Sequence, residues 1–266
     1  MNYFTFTFIV LLFIVLAPSP SVETSEPAFG YSGKKAPQFW GNLSKEFALC
    51  STGKKQSPID IPKHEFARKS TRPIPSFANA RDLEIFHNGN TVEIGTENEE
   101  EELPVRITIR GKEYQMLQMH FHTPSEHRVD GKHFDAEGHM VFSRKDRYNN
   151  TKIAVVAILF EMSDYENEFL VPITKTLPMK IHDKKKIEKV EFKQLLCDLK
   201  ELKQTYNYVG SLTTPPCSEG VKWYINRKVQ PISFYQFKQL RESIGFNARF
   251  TQLRYFAREF GRRGVL

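Results

Sequence analysis

"YQMLQMHFHTPSEHRVDGKHFDAEGHMVF", residues 114–142, carries five of the eight histidines in the 266-residue chain. Its two ends alternate in polarity. In an extended strand, side chains two apart share a face. Gln118, His120 and His122 therefore project to one side of the first segment, and Met119 and Phe121 to the other. In "FDAEGHMVF" the same alternation groups Glu137, His139 and Val141. If the two strands pair, three imidazoles converge. Three neutral nitrogen donors with one open position are the donor set of a catalytic zinc ion. Gln118 and Glu137 then lie where they can accept the outer ring N–H of His120 and His139, fixing each tautomer.

Other metal patterns fail on spacing. "HEFAR" (64–68) opens like a zinc-protease helix but ends on Arg68 where a second histidine is needed. "HTPSEH" (122–127) has one residue too many for the inverted version. A metalloprotease is unsupported.

Working outward, strand signals dominate. "RDLEIFHNGNTVEIG" (81–95) reads as two strands about an Asn-Gly turn. "PVRITIRG" (104–111) and "GVKWYIN" (220–226) read as further strands, and "TKIAVVAILFEM" (151–162) as one buried on both faces. Helices are expected over "SFYQFKQLRES" (233–243), capped by Ser233, and over "NEFLVPITKTLPMK" and "KKKIEKVEFKQLLCDLKELKQ", with Pro172 and Pro178 weakening the former. The expected fold is a mainly β single domain with peripheral helices.

Residues 4–17, "FTFTFIVLLFIVLA", are too few to span a bilayer and precede small, polar residues. We read 1–22 as a signal peptide, with an uncleaved anchor as the alternative, and expect a secreted protein without a stable membrane anchor. The formal net charge of +7 comes from patches: "DKKKIEK" and Arg249, Arg254, Arg258, Arg262 and Arg263 against the acidic run 97–102. These read as solvated faces, and no nucleic-acid motif accompanies them. Cys50, Cys197 and Cys217 are an odd set for an oxidising compartment. Asn42 and Asn149 head N-glycosylation sequons.

"QMHFHTPSEH", "DAEGHMVF" and "YVGSLTTPPCSEGVKW" (208–223), in that order, resemble the signature segments of the α-class carbonic anhydrases. "FGYSGKKAPQFWGNL" (29–43), "QSPIDI" (56–61) and "NARFTQ" (247–252) resemble its flanking segments, so the likeness extends over 27–262. The short link from His122 to Glu126 is similar to bacterial and plant members.

The resemblance implies a large, mostly antiparallel twisted sheet ringed by short helices. It also implies reversible CO₂ hydration by zinc-bound hydroxide, and binding of sulfonamide and anion inhibitors. By position, His120, His122 and His139 match the zinc ligands, Gln118 and Glu137 their outer acceptors, and His127 a structural histidine near Tyr208. Thr213 and Glu126 match the hydroxyl–carboxylate pair that orients the nucleophile. Thr214 matches a substrate or anion contact. Val141, Val155, Leu212, Val221 and Trp223 match the apolar wall for CO₂, and Tyr31 and Asn88 residues that order water. Cys50 and Cys217 match a disulfide, leaving Cys197 as a buried thiol.

Two departures stand out. Phe29 takes the place of a tryptophan, and Asn90 that of the histidine that relays protons in fast members, so slower, buffer-dependent turnover is expected. His87 should face away from the cavity. The competing reading is a non-catalytic binding or storage protein on the same scaffold, against which stand three intact ligand positions.

Overall fold

The computed structural model describes residues 28–64, 73–77, 80–96, 103–192, 195 and 205–253. The signal segment, Arg254 and the arginines beyond it, the acidic run 97–102 and Cys197 lie outside them.

In chain order the strands are β1 (Asp60–Ile61), β2 (Ile74–Phe77), β3 (Ala80–His87), β4 (Val92–Thr96), β5 (Val105–Ile109), β6 (Lys112–His122) and β7 (Arg128–Val129). They continue with β8 (Ala136–Lys145), β9 (Thr151–Ser163), β10 (Lys184–Val190), β11 (Thr205–Ser211), β12 (Glu219–Asn226) and β13 (Gln230–Ser233). Eleven of them form one sheet, with β10-β3-β4-β6-β8-β9-β12-β11 as its main path, and β1 and β7 pair apart. Pairing in the large sheet is antiparallel except where β12 and β13 run parallel to β9.

Alternation along β9 explains why both sheet faces are buried. Ala154, Val156, Ile158 and Phe160 enter one apolar core together with Met119, Phe121, Met140 and Phe142. Val155, Ala157 and Leu159 enter a second with Val141, Val221, Trp223 and Ile225. A strand buried on both sides has no polar face to reveal its period, hence the continuous apolar run. The imidazoles of β6 and β8 share parity with Val141, so they look toward the second core.

The hairpin of β3 and β4 turns at Asn88–Gly89 as the sequence indicates, with Gly89 at φ +92°. Helix Phe234–Ile244 has a full capping box, Ser233 accepting from the Gln236 N–H and Gln236 accepting from the Ser233 N–H. Helix Leu170–Thr176 also forms. Pro172 falls in its first turn, where a missing N–H costs nothing, and the chain leaves the helix at Leu177, before Pro178.

One expectation is overturned. Lys184–Val190 is not the start of a helix but β10, an edge strand paired with β3. Only Ile187 and Val190 in it are buried, and their spacing of three mimics a helical stripe. Ladder bonds to β3, with the Lys184–Glu84 ion pair at 2.7 Å, override that local pattern. Among the described residues no helix is long and apolar enough to cross a membrane.

Candidate metal centre

Register creates the site. β6 and β8 pair with His120 opposite His139, His122 opposite Glu137 and Gln118 opposite Val141. Directly opposed residues put their side chains on one face a few ångströms apart. The three imidazole centroids are 5.0, 5.0 and 4.6 Å from one another. One nitrogen from each ring lies within 4.8 Å of the others.

Each ring is held from behind. His120 Nδ1 donates to Gln118 Oε1 at 2.9 Å, and His139 Nε2 donates to Glu137 Oε1 at 2.8 Å. His122 Nδ1 donates to the Asn247 carbonyl at 2.8 Å. These bonds leave His120 Nε2, His122 Nε2 and His139 Nδ1 as the inward lone pairs. His122 Nε2 is buried and makes no hydrogen bond among the described residues. A buried ring nitrogen is expensive to leave without a partner unless an ion takes it up. Burial pushes all three imidazoles below their ordinary pKa, His122 to about 4, so they are neutral donors at pH 7. The residues present therefore fit a three-histidine zinc site.

Glu137 is the hub behind the ligands. Its Oε2 accepts the N–H groups of Glu126 and His127, both at 2.8 Å, and its Oε1 accepts His127 Nδ1 at 2.6 Å besides His139. Burial would raise its pKa, but His127 and His139 hold it well below the usual carboxylate value. His127 Nε2 also bonds the Tyr208 hydroxyl at 2.8 Å, and that hydroxyl lies 2.8 Å from Ser57 Oγ. Both ring nitrogens of His127 are thus bonded to protein groups. His133, by contrast, is exposed and bonds the Ser125 carbonyl.

Glu126 is fully buried, with Oε2 3.5 Å from His122 Nε2. Burial raises its pKa to about 7, opposed by the Arg249 N–H and by the Thr213 hydroxyl beside it. Thr213 and Thr214 sit on a loop closed by Leu212 N–H to the Ser218 carbonyl and Cys217 N–H to the Thr214 carbonyl. Cys50 and Cys217 are disulfide-bonded, anchoring that loop across 167 residues of sequence. The chain-entropy model gives at most ~5 kcal/mol for such a loop. At ~2–4 °C per kcal/mol, a Cys50→Ser/Cys217→Ser variant should melt below the wild type by up to roughly 10–20 °C in calorimetry.

Val141, Val155, Val221 and Trp223 share one apolar cluster, with half-buried Leu212 packed on it. The Trp223 ring lies 4.9 Å from His139. Tyr31 packs edge-on against Trp40 at 5.5 Å, beside Phe29, and burial raises its pKa well above 10. A cavity of about 560 Å³ opens between Phe29, Tyr31, Lys34, Asn90 and Phe246.

Asn88 uses Oδ1 to accept the N–H groups of Asn90 and Thr91, each at 3.0 Å, so it shapes the turn. His87 is buried; its Nδ1 accepts from Gly89 N–H at 3.0 Å, which leaves Nε2–H to donate to the Ser243 carbonyl at 2.9 Å. Both nitrogens are engaged away from the histidine triad. Asn42 and Asn149 are exposed.

Sequence reasoning missed two residues. Asn247 draws several segments together: its carbonyl holds His122, Oδ1 takes Thr123 N–H, and Nδ2 reaches the carbonyls of Asn90 and Phe121. Arg249, counted among solvated charges, is instead buried. Its guanidinium donates to Gln56 Oε1 and to the Ser57 and Cys50 carbonyls, while its N–H holds Glu126 Oε1. The only signal was "NARF", an arginine directly between apolar neighbours.

The chain matches the model of the eukaryotic-type carbonic anhydrases over residues 35–260. A carbonic anhydrase of Neisseria gonorrhoeae is 34% identical over 236 residues, 89% of this chain and 88% of its own. Alpha carbonic anhydrase 5 of Arabidopsis thaliana is 33% identical over 255 residues, 91% of this chain and 86% of its own. The α-carbonic anhydrase of Thermovibrio ammonificans, solved with the inhibitor sulfanilamide, superposes with a TM-score of 0.73 at 34% identity, covering 85% of this chain and 95% of that one. The eukaryotic-type carbonic anhydrases are the family to which this chain belongs.

Proposed function

We propose that this carbonic anhydrase hydrates CO₂ to bicarbonate and a proton at a zinc ion held by His120, His122 and His139. The observation that carries the reading is the convergence of three neutral nitrogens, one of them buried and otherwise unbonded. Zinc bound there supplies a water acidified to a pKa of ~7, the value known for carbonic anhydrase itself, as nucleophile at neutral pH.

The chain's own groups do the rest. Gln118, Glu137 and the Asn247 carbonyl hold the three rings in the required tautomers. Glu126, when ionised, can only accept, so the Thr213 hydroxyl donates to it and turns its lone pairs toward the nucleophile. The Arg249 N–H and the Thr213 hydroxyl favour that ionised form against burial. The wall of Val141, Val155, Leu212, Val221 and Trp223 holds an apolar gas without competing for the metal. Thr214 contacts the departing anion, and Tyr31 and Asn88 order cavity water. Stopped-flow CO₂ hydration, lost on chelation, restored by zinc and inhibited by a sulfonamide, tests the reading. A zinc-free, inactive protein would favour the binding or storage alternative.

Proton export sets a second expectation. Asn90 does not titrate, and His87 has both nitrogens committed to backbone. Asn90→His should therefore raise turnover in weak buffer, roughly tenfold if general acid–base relay is limiting. Wild-type turnover should climb with added imidazole. Equal rates in both proteins, and no response to imidazole, would dismiss this role.

We further propose that residues 1–22 direct secretion and that exposed Asn42 and Asn149 accept glycans, which mass spectrometry of the secreted protein tests.

A further inference from the structure

Glu93 on β4 lies directly opposite His120 of β6 in the ladder, so the two side chains share a face. It is half-buried, and its Oε2 accepts from Gln118 Nε2 at 3.3 Å. Gln118 Oε1 in turn accepts from His120 Nδ1 at 2.9 Å. The middle member of this relay is ambiguous by itself. A carboxamide has one acceptor end and one donor end of nearly the same shape, and a half-turn exchanges them. Had Gln118 turned its NH₂ to His120, Nδ1 would have to be the acceptor. The ring proton would then sit on Nε2, the atom 3.2 Å from His139 Nδ1 and facing the triad. A ring in that tautomer cannot bind a metal through Nε2.

We propose that Glu93 is a positioning residue for the metal centre: it fixes the Gln118 carboxamide and, through it, the Nδ1–H tautomer of His120. A carboxylate presents acceptors only, so it admits one orientation of Gln118. A glutamine at position 93 would admit both. The inference rests on reading His120, His122 and His139 as a zinc site.

The test is a set of zinc dissociation constants, measured on metal-free protein by competition with a chromogenic chelator. It compares wild type, Glu93→Gln, Gln118→Leu and the double variant. Partners directly behind a ligand are worth 10–100-fold in metal affinity, so one step further out we expect about 5-fold weaker zinc binding for Glu93→Gln. Its melting temperature should match the wild type. In the Gln118→Leu background the Glu93→Gln change should move affinity by less than about 2-fold, because residues acting through a shared partner are not additive. The His120 Nδ1–H resonance, sharp in the zinc-loaded wild type, should broaden in Glu93→Gln.

Unchanged zinc affinity in Glu93→Gln overturns the proposal. So does a loss of equal size in the Gln118→Leu background, which would mark a through-space charge effect. A wild-type protein that binds no zinc would overturn the metal-site reading as well, and is told apart by the wild-type arm alone.

Discussion

His139→Ala should abolish zinc retention under dialysis and reduce CO₂ hydration to the buffer rate, with the sheet intact. His139 is buried, its Nε2 bonds Glu137, and its ring meets that of Trp223 edge-on at 4.9 Å. Structural zinc sites are worth roughly 10 kcal/mol or more in apparent binding free energy. One of three protein donors then accounts for ~3 kcal/mol, about a hundredfold or more in dissociation constant. Metal analysis and stopped-flow hydration read the two losses, and circular dichroism the fold. Retained stoichiometric zinc in His139→Ala would remove this residue from the ligand set.

Glu137→Ala should be the most damaging single change for stability. Four donors converge on this carboxylate, from the Glu126 and His127 backbone and from the His127 and His139 rings. Alanine would leave all four facing a dry void. Each buried donor left unsatisfied costs about 1–3 kcal/mol, and the several kcal/mol lost amount to roughly 10 °C in Tm at ~2–4 °C per kcal/mol. Zinc affinity should fall 10- to 100-fold as well, since His139 loses the acceptor that sets its tautomer. Calorimetry with and without zinc separates the two effects. A Tm within about 2 °C of the wild type would show that water satisfies these donors, against their complete burial.

Much of the centre was legible because strands with a period of two convert spacing into geometry. Gln118, His120 and His122, then Glu137, His139 and Val141, needed only the pairing of two segments to become a site. The alternation within the two segments, the hairpin at Asn88 and the cap at Ser233 are local signals that tertiary structure leaves standing. Where the reading failed, long-range contacts decided. Ile187 and Val190 have helical spacing, yet β3 offered an open edge. Arg249 reads as a surface charge until one stretch distant in sequence, residues 50–57, supplies three acceptors. Asn247 and Glu93 act through backbone or through another side chain, and neither has a spacing rule. The disulfide pairing of Cys50 with Cys217 followed from family resemblance, not from the residues themselves.

The opposition of His120 and His139 across β6 and β8 makes their meeting a property of the sheet itself. Two of the three donors are neighbours in a backbone ladder, buttressed by apolar packing on both sides of the sheet. Small zinc modules gain their structure only when the ion arrives, so loading and folding are one event. Here the donors are set by the sheet's own ladder, so stripping zinc with a chelator should leave the far-UV circular dichroism unchanged, and added zinc should bind again without a refolding step.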